Sequence, residues 1–160
     1  MVHRDLRRVQ ATIPFAEWNQ ELPSVSAVRP ALCPGCQRAS RPAGRRLVLV
    51  GHGLRSLDML GPTTSDGFAV ETEVVGRRYR CLECGAVCLV VPGGVRAGRR
   101  YLWPSLTLAL ALWSLDGLSA LAVRGRISPY TIVGPSVTGW ASLRRWARAY
   151  GIGDGSLRDR

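Results

Sequence analysis

The chain has 160 residues, 46% of them apolar, which is one ordinary domain or two small ones with enough greasy surface for a core. Its 22 basic residues outnumber 11 acids, giving +11, and all 22 are arginine. The longest apolar run, LWPSLTLALALWSL at 102–115, is too short to span a bilayer, and with a polar, charged N-terminus nothing in the sequence resembles a secretory signal.

An all-arginine basic set fits a coding bias, since Ala, Gly and Pro are also abundant. It equally fits a polyanion partner, because guanidinium pairs bidentately with phosphate. We expect a cytoplasmic, nucleoid-associated protein with no membrane partner. In that reducing compartment paired cysteines favour a metal over disulfides.

Residues 1–32 form an N-terminal segment. FAEWNQEL (15–22) predicts a short helix stopped by Pro23, and PSVSAVRPALCP reads as an extended linker. Residues 33–95 then predict a small antiparallel β unit. CPGC leads into a loop rich in Arg and Pro, and RRLVLVGHGLR (45–55) predicts a strand ending in Gly-His-Gly. GPTTSDG (61–67) is a loop, FAVETEVVGRRYRC (68–81) a long strand, CLECG a turn, and AVCLVV (86–91) a strand ending at Pro92-Gly93-Gly94.

Residues 96–150 predict three or four helices, so the fold class is α+β. Pro104 suits the first turn of an apolar helix, which Gly117 ends. Ser119 caps a second helix, ALAVRGR, and Ser128-Pro129 opens a third, YTIV, interrupted by Gly134-Pro135. A fourth, ASLRRWARAY (141–150), closes at Gly151, and 151–160 is a frayed tail.

Two C-x2-C pairs carry the strongest chemistry. Cys33 and Cys36 flank Gly35, and Cys81 and Cys84 precede Gly85. Each tight turn aims two thiolates at one point, and two facing turns make a tetrahedral four-sulfur site that suits structural Zn²⁺, with no position left for water. Cys88, four residues past Cys84, is expected to be a buried thiol. His52 between two glycines is expected to be a polar surface residue rather than a ligand.

The helical half carries arginines 96, 99, 100, 124, 126, 144, 145 and 148 against one acid, Asp116. On the last helix Leu143, Trp146, Ala147 and Tyr150 share one face, and Arg144, Arg145 and Arg148 the other. Unrelieved repulsion on that face would cost stability, which favours a phosphate-facing role. LDGLSALAVRGRISPYTIV (115–133) reads as a helix-turn-helix. Its candidate recognition helix starts with Ser128, Tyr130 and Thr131 and has no Arg, Asn or Gln to read a base edge, so it would hold phosphate rather than specify sequence.

The order of these pieces is CPGC, a strand ending in HGLR, VVGRRYRCLECG, VVP, and a basic YLWPSLTLALALW helix followed by GLS. Over about residues 31–150 it resembles the zinc-ribbon and helix-turn-helix N-terminal region of bacterial insertion-sequence transposases, and small stand-alone proteins of that type. The resemblance implies a zinc ribbon over 33–95 with Zn bound by Cys33, Cys36, Cys81 and Cys84, and a helix-turn-helix-like bundle over 96–150. It puts Cys88 where such ribbons carry an aromatic core residue, and it implies binding to double-stranded DNA. It does not carry catalysis over. The transposase active site needs three carboxylates for two metal ions, and only Asp154 and Asp159 follow residue 150.

The expected function is therefore zinc-dependent DNA binding without enzymatic activity. The phosphate contacts would come from Arg77, Arg78, Arg80, Arg99, Arg100, Arg124, Arg126, Arg144, Arg145 and Arg148. The alternatives are an RNA-binding module or a zinc-ribbon adaptor, with a homodimer or another protein as partner. A rubredoxin-like iron centre also uses paired C-x2-C, but the strong positive charge and long gap argue against it.

Overall fold

A computed structural model describes residues 7–64, 66–95, 100–130 and 140–152. The fold is α+β, with strands β1 (Arg7–Pro14), β2 (Leu49–Leu60), β3 (Glu71–Cys81) and β4 (Val87–Gly93). Helices are α1 (Phe15–Gln20), α2 (Trp103–Ser114), α3 (Ala120–Ile127) and α4 (Ala141–Ala149). The strands form one sheet in the order β1-β4-β3-β2. The chain divides into two compact units, Met1–Asp58 with Glu73–Arg99, and Met59–Thr72 with Arg100–Arg160.

In the first unit β4 is buried along Cys88–Pro92 because it has neighbours on both sides. It pairs antiparallel with β3, Tyr79 opposite Cys88, and parallel with β1, Val9 opposite Val90. The unit is thus not purely antiparallel, and the N-terminal segment supplies a strand. Val9, Ala11 and Ile13 alternate along β1 and pack on the core as a half-buried strand should. Residues 23–32 are not a free connection either. Val28 is buried, and Tyr79, with no exposed surface, donates its hydroxyl to the Val25 carbonyl at 2.7 Å. Trp18 likewise donates its indole N–H to the Val75 carbonyl at 2.9 Å, so both buried aromatics have their polar ends satisfied. The strand expected to end at Gly-His-Gly instead runs on to Leu60. Gly76 is required by close approach, since a Cβ there would lie 2.8 Å from Leu89 Cδ1.

In the second unit α2 opens with Pro104 in its first turn, and Gly117 follows it at φ +67. The Ser119 hydroxyl accepts from Ala122 N at 3.2 Å, capping α3 as expected. Leu106, Ala109, Val123, Ile127, Trp140, Leu143 and Trp146 belong to the core, where Tyr101, Trp140 and Trp146 meet edge-on at 5.0–5.6 Å. The start of α2 is tied to the turn at 60–62, where fully buried Ser105 donates to the Pro62 carbonyl at 2.8 Å. Ser128 ends α3, and its hydroxyl accepts from Tyr130 N at 3.4 Å. The rest of the expected third helix, 131–133, lies outside the described residues.

No helix among the described residues is long and apolar enough to cross a membrane.

Candidate metal centre and basic surface

The first cysteine turn begins where Leu32 bridges Ala39, and the second joins β3 to β4. The two are built alike. Cys33 N donates to the Arg38 carbonyl at 2.9 Å, as Cys81 N does to that of Ala86 at 2.8 Å. Gln37 N donates to the Cys33 carbonyl at 2.8 Å, as Gly85 N does to that of Cys81 at 3.0 Å. Gln37 and Gly85 both take the left-handed backbone, at φ 60 and +70. Gly85 does so freely, whereas Gln37 is the one described non-glycine residue at positive φ.

These turns bring Cys33, Cys36, Cys81 and Cys84 together, their sulfurs all within 4.8 Å of one another, an arrangement that could hold a metal ion. The cross-turn pairs Cys33–Cys84 and Cys36–Cys81 stand at 3.8 Å, far beyond a disulfide bond. Gly35 permits the approach. A Cβ there would lie 2.7 Å from Ala86 Cβ and 3.2 Å from Cys84 Sγ. Cys33 and Cys81 are buried, Cys36 is half-buried and Cys84 exposed.

Electrostatically Cys33 and Cys84 differ. Burial pushes the Cys33 thiol up, but the N–H groups of Cys36 and Gly35 and the neighbouring thiols outweigh it and bring it down to about 7. The N–H of Ala86 pulls Cys84 down, but burial and hydrogen bonds to the other three sulfurs carry it up to about 11. One thiolate therefore forms readily, and crowding by the neighbouring sulfurs resists the next.

Cys88 lies outside this cluster. It is buried on β4, and burial, then the charge of Cys33, pushes its thiol up to about 11, so it stays a neutral core residue. His52 is exposed on β2 and does not join the four sulfurs.

The predicted phosphate-binding arginines separate into groups. Arg80 is exposed and Arg78 half-buried, one face apart from Arg77 and Tyr79 by strand alternation. Arg77 donates its Nε to the Pro23 carbonyl, which ties it to the chain. Arg100 pairs with Glu71 at 3.7 Å. Arg124 is half-buried, with its Nε unpaired among the described residues. Arg126, Arg144, Arg145 and Arg148 are exposed, the last three opposite the buried Leu143–Trp146–Ala147 face of α4. Arg99 lies outside the described residues. Sequence reasoning missed Gln37 and the ion pair between the two turns, Arg38 Nη1 to Glu83 Oε2 at 2.7 Å. Neither residue type marks such a role locally.

No family model, curated protein or solved structure matches the chain.

Proposed function

We propose that the protein is a zinc-dependent DNA-binding protein. One Zn²⁺ would be held by Cys33, Cys36, Cys81 and Cys84 in a zinc-ribbon unit, and solvent-facing arginines would grip duplex phosphates. The sulfur spacing carries the reading. With Zn–S bonds of about 2.3 Å, the edges of a tetrahedral four-sulfur site are about 3.8 Å long, and both cross-turn pairs stand at 3.8 Å. An all-thiolate donor set suits Zn²⁺ in a closed structural site. Such an ion would supply folding free energy on the order of 10 kcal/mol rather than chemistry at an open position.

The nucleic-acid half of the reading rests on charge and its placement. The net +11 is a polyanion-binding balance. Arg144, Arg145 and Arg148 present three guanidiniums on one helix face with no acidic partner among the described residues. Arg126 adds a guanidinium within the same unit, and Arg78 and Arg80 contribute theirs on β3 of the other. In this reading α3 and the segment opening at Ser128 belong to a helix-turn-helix-like bundle. The kinship with transposase N-terminal regions rests on the order of motifs.

The test is fluorescence anisotropy of a labelled random-sequence duplex across a salt series. Six phosphate contacts would give a slope of log K on log salt near about −5. A flat response, or no binding, refutes the reading. One observation favours an adaptor role as the second reading: Phe68 and Leu115 are each 82% exposed. Pull-down of a stoichiometric protein partner without duplex binding would select it.

A further inference from the structure

A cleft beside the first cysteine turn was not marked by the sequence. Arg38, Arg45, Arg46 and Glu83 line it over a floor that includes Pro42 and Val48, and its volume is about 830 Å³. That is within the range of ligand sites, which run from about 300 to 1,000 Å³. Three guanidiniums face one carboxylate, and Glu83 is already engaged with Arg38 at 2.7 Å. Arg45 and Arg46 are exposed and have no acidic partner among the described residues.

The walls are set by backbone hydrogen bonds. The Arg38 carbonyl accepts from Cys33 N at 2.9 Å, and Glu83 lies within the second turn. Val48 N donates to the Ser40 carbonyl at 3.0 Å, and the Val48 carbonyl accepts from Leu82 N at 2.8 Å. Between these anchors Arg45 N closes a turn onto the Pro42 carbonyl at 3.2 Å, with Gly44 at φ +66 allowing it. The two uncompensated arginines therefore stand on a short turn held at both ends.

We propose that this cleft binds a phosphate of a nucleic-acid backbone through Arg45 and Arg46, with Arg38 as a third donor that Glu83 restrains. The inference rests on the nucleic-acid reading above and adds residues to it. Guanidinium forks match phosphate oxygens bidentately. A phosphate also displaces Glu83 from Arg38 at little cost, because an exposed ion pair is weak.

Duplex binding by the full, metal-loaded chain tests the proposal in four forms: wild type, Arg45→Gln/Arg46→Gln, Arg41→Gln/Arg55→Gln and Glu83→Gln. The second pair removes the same charge from exposed positions of the same unit outside the cleft. The cleft pair should weaken binding about tenfold or more and flatten the salt slope by about 2. The control pair should lose less than about threefold, and Glu83→Gln should tighten binding. Equal losses in the two arginine pairs, or weaker binding by Glu83→Gln, overturn the cleft assignment while leaving DNA binding intact. Absence of binding by wild type overturns the functional reading itself. Titration with inorganic pyrophosphate at matched ionic strength separates a polymer from a free anion. Weak millimolar binding supports a backbone site, and micromolar saturation overturns it. Circular dichroism and metal content confirm that each variant is folded.

Discussion

Replacing Gly35 with alanine should pry the two cysteine turns apart. Gly35 has an ordinary negative-φ backbone, so the added methyl acts through space alone. Its Cβ would meet Ala86 Cβ at 2.7 Å and Cys84 Sγ at 3.2 Å. Carbon pairs rest at about 3.5–4.0 Å, so about 1 Å must be found between the turns. Metal–sulfur bonds tolerate only about 0.2 Å, so the backbone has to move. Overpacking of this kind costs about 1–3 kcal/mol. If that cost falls on the loaded state, Zn²⁺ affinity drops about 5- to 150-fold. Competition against a chromophoric zinc chelator reads the ratio directly. Gly35→Ala/Ala86→Gly removes the nearer clash and should recover much of the loss. Zinc binding by Gly35→Ala within twofold of wild type would refute the claim that the turns close around an ion, as would a loss that the second substitution leaves untouched.

Three further outcomes are expected. Gln37→Gly should stabilise the first turn by about 1 kcal/mol, the usual cost of a left-handed non-glycine residue, read as a higher denaturant midpoint. Gly61→Ala should cost about 2 kcal/mol or more, because Gly61 sits at φ +101 and a Cβ would lie 2.5 Å from Ser105 Cβ in the second core. Chemical denaturation followed by tryptophan fluorescence would show it, and an unchanged midpoint would contradict the packing described. Arg144→Gln/Arg145→Gln/Arg148→Gln should flatten the salt slope of duplex binding by about 3 while leaving zinc content at wild-type level. A slope that does not move removes α4 from the interface.

The parts of the fold visible in the sequence are those encoded over a few residues. The two C-x2-C turns, Pro104 at the start of α2, the Ser119 cap and the amphipathic α4 each carry a local signal, and each is present. The miss at β1 is of another kind. Val9, Ala11 and Ile13 alternate, but their partner is β4, about eighty residues on, and nothing local announces a parallel pairing at that distance. Trp18 and Val28 carry no local sign of their burial for the same reason, since the carbonyl of Val75 and the core they join come from far along the chain. Gln37 shows the limit from the other side. Comparison of the two turns position by position reveals it as the counterpart of Gly85, but residue type alone hides the left-handed backbone. The arginine cleft needs tertiary contact to exist, because Glu83 reaches it from the opposite turn.

X-ray absorption at the zinc edge on protein purified with its metal tests the central claim most directly. The account predicts one zinc per chain with four sulfur neighbours at about 2.3 Å and no nitrogen or oxygen in the shell. A chain that folds without any metal, or a shell holding oxygen or nitrogen in place of one of the four sulfurs, would contradict it.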